Sequence, residues 1–98
     1  MKPSNDREAI TLILEGLVKT GHTLVETDDG EEVIPTPTVE DAVEAVTAVD
    51  MATVVMRTPA GERRWVWFVQ GNEPEEVAAD YTVGLDPDLS NIVDPWWE

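Results

Sequence analysis

Apolar residues recur along this chain at two periods, and the change of period divides it into helices and strands. Ile10, Ile13, Leu14 and Leu17 fall at helical spacing, with Leu12 and Val18 widening the same face. Asn5 followed by Glu8 forms a capping-box-like start, and Gly21 is placed to stop the run. The pattern predicts a helix over residues 5–20. Its basic residues are too few for a nucleic-acid or membrane-surface helix, so its apolar face is assigned to core packing. A short strand is expected at 22–26, a turn at Asp28-Asp29-Gly30, and a second short strand at 32–35. Pro35 and Pro37 keep that second strand from being a long central one. Thr38 can cap a second helix with Asp41 in its third position, and Val39, Ala42, Val43, Val46 and Val49 form its buried stripe. Valines lose rotamer freedom in a helix, so tertiary packing must hold this element.

The sequence then alternates. MATVVMR and RRWVWFV read as two strands joined around Pro59-Ala60-Gly61-Glu62. A turn centred on Ala60-Gly61 sets Arg57 opposite Arg64, Met56 opposite Trp65, Val55 opposite Val66, and Val54 opposite Trp67. One face then carries Ala52, Val54, Met56, Trp65, Trp67 and Val69. The other carries Thr53, Val55, Arg57, Arg64, Val66 and Phe68. A one-residue slip mixes these sets, so the clean partition favours this register. It predicts Trp65 and Trp67 in the core against helix 5–20, with an exposed aromatic platform as their rival role. It also opposes two arginines, which repel unless carboxylates intervene. Residues 75–83 read as a short helix or a final strand, and the alternation of Val77, Ala79 and Tyr81 favours the strand. Residues 84–98, interrupted by Pro87 and Pro95, read as an irregular tail. The elements together predict one α+β domain over 1–98. Its architecture is a two-layer sandwich: two helices on one face of a mostly antiparallel sheet that contains a 52–58/63–70 hairpin.

Charge narrows the class of partner. The chain has 98 residues, which suits one domain, and a formal net charge of −15 from 21 acids and 6 basic residues. From Thr20 to Met56, and again after Arg64, there are acids and no Lys or Arg. This field repels DNA, RNA and anionic membranes at long range. It keeps a protein dispersed, and it attracts a basic partner. Cysteine is absent, which excludes disulfides, thiolate nucleophiles and thiolate metal sites. No signal-peptide pattern and no apolar run long enough to span a bilayer is present, so cytoplasm is the expected location.

Candidate chemistry is sparse. His22, the lone histidine, sits beside the helix stop and reads as a local structural or exposed residue. Asp28, Asp29, Glu31 and Glu32 read as a solvated turn, the alternative being a divalent-cation site without calcium-loop spacing. Asp86, Asp88 and Ser90 open like a calcium loop, but Asn91 stands where its glycine is needed and Trp97 where its glutamate is needed. Phosphate loops, HExxH and GxSxG are absent. No catalytic residue, cofactor or metal is assigned. The tail pair Trp96 and Trp97 either folds back over the sheet or docks into another protein.

The stretch WVWFVQGNEPEEVAADYTV, Trp65 to Val83, resembles a segment of small uncharacterised acidic proteins of bacteria and their phages or plasmids. The similarity lies in the strand, then Gly71-Asn72, Glu75-Glu76-Val77 and Asp80-Tyr81, with Val49 to Thr53 before it. It implies a folded domain and no particular activity.

The first functional expectation is a non-enzymatic binding protein for a basic protein partner. Arg57, Arg64, Glu73, Glu75, Glu76, Trp96 and Trp97 are its candidate contacts. One form of it is a DNA mimic, motivated by the Asp28–Glu32 and Glu73–Glu76 clusters. The alternatives are a homodimeric structural or assembly protein and a small carboxylate- or metal-dependent enzyme. The homodimer would bury Val55, Val66 and Phe68 across a symmetry axis. Neither direct nucleic-acid binding nor a membrane partner is expected.

Overall fold

The computed structural model describes residues 2–97. Met1 and Glu98, the latter the last residue of the predicted irregular tail, lie outside the described residues.

The first helix, α1 (Asp6–Lys19), begins as the sequence requires. Asn5 is extended, and its side-chain oxygen accepts from the Glu8 N–H at 2.9 Å. The helix ends at Gly21, whose φ of 101° is left-handed. There the His22 N–H donates to the Leu17 carbonyl at 3.1 Å and the Gly21 N–H to that of Val18 at 3.0 Å. These two bonds close a Schellman motif. The His22 ring reinforces the stop, with Nδ1 3.1 Å from the same Leu17 carbonyl. It is therefore a buried structural group.

Strand β1 (Thr23–Asp28) turns through Gly30 and pairs antiparallel with β2 (Val33–Pro35). The next helix, α2 (Val39–Thr47), is capped by the Thr38 hydroxyl, which accepts from Asp41 N–H at 3.1 Å. Ala42, Val43 and Val46 are buried, with Val39 and Val49 packed against them. Two longer strands follow, β3 (Met51–Arg57) and β4 (Arg63–Val69), then β5 (Ala78–Tyr81) after a 3-10 turn at Pro74–Glu76. The result is an α+β fold with an open antiparallel sheet in the order β2-β1-β3-β4-β5.

The hairpin register differs from the expected one. Arg57 faces Arg63, Met56 faces Arg64, Val55 faces Trp65, Val54 faces Val66 and Thr53 faces Trp67. The loop explains the shift. Gly61 N–H donates to the Thr58 carbonyl at 2.8 Å, Thr58 N–H donates to the Glu62 carbonyl at 2.9 Å, and Gly61 has φ 87°. The connection is thus three residues, Pro59-Ala60-Gly61, with glycine in the left-handed position that such loops need. A centre at Ala60-Gly61 would have made it two. One residue of difference turns every β4 side chain to the other face. Val66 and Phe68 therefore enter the core, and Trp65 and Trp67 leave it.

The predicted irregular tail also differs. Residues Val83–Leu85 form a 3-10 turn, and a third helix, α3 (Asp86–Val93), follows before a last 3-10 turn at Asp94–Trp97. Pro87 sits in the first turn of α3, where no intrahelical N–H is lost. Leu85, Leu89, Ile92, Val93 and Trp96 then supply an apolar face at helical spacing to the core. At Gly16 a Cβ would collide with the Ile92 side chain, so a glycine in α1 permits the close approach of α3. All three helices contribute to one core with Ala52, Val54, Met56, Val66 and Phe68. That core belongs to a single sheet face.

Candidate functional site

The other sheet face carries no helix. Its side chains follow from the strand pairings as two rows across the sheet. One row runs Pro35, Glu26, Val55, Trp65. The next runs Val33, Asp28, Thr53, Trp67, Asp80. Arg57 and Arg63 lie beyond the first row at the hairpin end, and Met51 and Val69 beyond the second. Each tryptophan thus shares its row with carboxylates. A shallow groove of about 330 Å³ follows the middle of this face, lined by Glu26, Asp28, Thr53, Val55, Arg63 and Trp65.

Apolar and charged side chains interleave on this surface. Val55 is 5% exposed yet lies outside the helix-side core. Trp67 remains 36% exposed, and Met51 and Val33 are exposed as well. Rigid backbone holds the platform. Both backbone groups of Trp65 are held by Thr82, whose N–H donates to the Trp65 carbonyl at 3.0 Å while its side-chain hydroxyl accepts from Trp65 N–H at 2.8 Å. Beside the platform, the β1–β2 turn is tied by its own acids. Asp28 Oδ1 accepts from Gly30 N–H, and Asp29 Oδ1 accepts from Glu31 and Glu32 N–H. The bonds from Glu32 and then Glu31 hold the Asp29 carboxyl below the usual carboxylate range.

The residues expected from sequence to contact a partner are dispersed. Arg57 reaches back to its own turn and donates to the Gly61 carbonyl at 3.0 Å. Arg64 leaves the open face. Its guanidinium lies over Gly84, where a Cβ would come within 2.7 Å of Nε, and Nη2 is 3.7 Å from a Glu62 carboxylate oxygen. Glu73 and Glu76 are exposed beside each other in the turn after β4, but the Glu75 side chain is turned inward and only 6% exposed. The three acids are therefore not one uniform patch. The tail tryptophans separate likewise: Trp96 is 6% exposed in the core and Trp97 is 59% exposed. Arg63, Glu26, Asp28 and Asp80 were not among the expected contacts, although all four border the open face. Counting three loop residues between Thr58 and Glu62 would have found Arg63; the other three depend on pairings of β1 and β5 that carry their own register shifts.

Among the described residues, no group of three or more His, Asp or Glu side chains converges as a metal-binding set, and no helix is long and apolar enough to cross a membrane. No protein-family model matches the chain, and neither a curated protein nor a solved structure matches it.

Proposed function

We propose that this protein is a non-enzymatic acidic binding module that docks a basic protein surface on the helix-free face of its sheet. The observation that carries this reading is the placement of Trp67, exposed, and Trp65, half-buried, on the helix-free face of an inner strand, in rows shared with Glu26, Asp28 and Asp80. Tryptophan anchors supply contact area with few rotatable bonds, and they accept cationic side chains on their faces. The flanking carboxylates favour lysine or arginine at the same places, and the net charge of −15 draws such a partner in from a distance. Acids interleaved with indoles and two arginines suit a mixed basic and apolar protein surface better than they suit a site built to hold a phosphate backbone.

Binding of a panel of lysine- and arginine-rich peptides, each with one aromatic or long aliphatic residue, tests the proposal. Trp67→Ala should weaken the best binder by on the order of tenfold or more, as at other aromatic anchors. Association should slow as salt rises, with dissociation changing much less. Labelled duplex DNA at low salt should not bind. Affinity indifferent to Trp65→Ala, Trp67→Ala and salt would refute the reading.

A further inference from the structure

Glu75 is the polar group that the fold accounts for least. Its side chain is 6% exposed, while Glu73 and Glu76 beside it are in solvent. Oε2 lies 3.8 Å from Lys2 Nζ. Oε1 is buried without a hydrogen-bond partner among the described residues. A carboxylate oxygen in that state is costly, and native proteins keep few of them.

Glu75 lines a cavity of about 140 Å³ between β5 and α3. A single water needs only on the order of 10–15 Å³ of such space, so the cavity admits a longer molecule. Ala78, Leu89 and Val93 give it apolar walls, and Ser90 and Asp94 add a hydroxyl and a second carboxylate. Tyr81 also borders it, but its hydroxyl is spent on Asp86 Oδ1 at 2.7 Å. Apolar sides and a buried carboxylate match a chain of methylene groups that ends in a positive charge.

We propose that this cavity binds an alkylammonium or alkylguanidinium group, with the Glu75 carboxylate accepting a hydrogen bond from the cation and Ala78, Leu89 and Val93 enclosing its methylene stem. Lys2 does not fill this role: its Nζ stands 3.8 Å from Oε2 and its side chain is 61% exposed. The site lies between β5 and α3, away from Trp65 and Trp67, and does not depend on what the open sheet face binds.

The test is an amide NMR titration of the full chain with three probes: n-butylammonium, N-acetyl-lysine methylamide and the uncharged n-butanol. The two cations should shift the amides of Glu75, Ala78, Ser90 and Asp94 in a saturable way, and butanol should bind at least about tenfold more weakly. Glu75→Gln keeps the shape and should lose a similar factor for the cations, its remaining spectrum reporting that the variant is folded. Equal binding of both cations identifies a protein lysine as an admissible source. Binding of the bare amine alone identifies a free amine, and supports the site equally. No saturable shift with either cation, or butanol binding as tightly as butylammonium, would overturn the proposal.

Discussion

Trp67 and Phe68 are neighbours in the chain and stand on opposite faces of β4. Phe68 is fully buried in the core shared by the three helices, while Trp67 is 36% exposed on the face without helices. The two faces spend apolar area differently. On the covered side, each large side chain is removed from water by folding itself, which contributes roughly 25 cal/mol per Å² of apolar surface. On the open side, Trp67, Met51 and Val33 are exposed and Trp65 is half-buried, so apolar area stays in solvent after folding. The proposed docking surface rests on this exposed apolar area and the charges interleaved with it. The comparison thus separates residues that hold the fold from residues left over by it.

The largest expected effect tests that separation directly. Phe68→Ala should cost on the order of 3–5 kcal/mol in urea unfolding, as other large aromatic deletions from cores do. Trp67→Ala should cost about 1 kcal/mol or less. Equal losses would erase the difference between the faces.

A smaller effect tests the turn that assigns them. Gly61 has φ 87° and open space around the position of a Cβ, so Gly61→Ala carries only a backbone penalty. That penalty is roughly 1–2 kcal/mol. Unchanged stability would mean that the loop does not hold glycine left-handed, and the register that turns Trp65 and Trp67 outward would lose its cause.

The smallest effect lies at the rim of the open face. The backbone donors of Glu32 and Glu31 lower the Asp29 pKa in the folded state. A lowered folded-state pKa gives stability that is present above the ordinary carboxylate pKa and is lost as pH falls through the lowered one. Acid unfolding of Asp29→Asn should therefore lack this contribution, and its stability should fall less steeply below about pH 4 than that of the unmodified chain. Superimposable acid profiles would show that the turn acids are not bound to the backbone in solution.

Much of the fold is legible in the residues. Asn5, Gly21 and Thr38 mark helix ends because capping is a local interaction, and both predicted caps bond as expected. The apolar stripes of α1 and α2 appear at their predicted positions, except that Leu12 and Val18, expected to widen the α1 face, are 38% and 41% exposed. The register was not legible by the same means. Alternation in RRWVWFV fits either face, so the count of loop residues decides, and Pro59-Ala60-Gly61 can be divided in two ways. The partition that looked cleaner grouped both tryptophans with the core, since size and burial usually agree. Edge irregularity hid more. A bulge between Trp67 and Phe68 sets Ala78 opposite Phe68 and Asp80 opposite Trp67, which breaks the alternation read through Val77, Ala79 and Tyr81. The helix α3 was obscured by two prolines, one in its first turn and the other just beyond its end. The inward turn of Glu75 depends on where α3 packs, and it has no signature in a run of acids.

The central claim is that Trp65 and Trp67 form the contact surface. The indole N–H signals of the four tryptophans report on it in one spectrum. On addition of a lysine- and arginine-rich peptide, the Trp65 and Trp67 signals should shift together and saturate, while that of Trp96, 6% exposed in the core, stays in place. Saturable binding that leaves Trp65 and Trp67 unmoved would contradict the account.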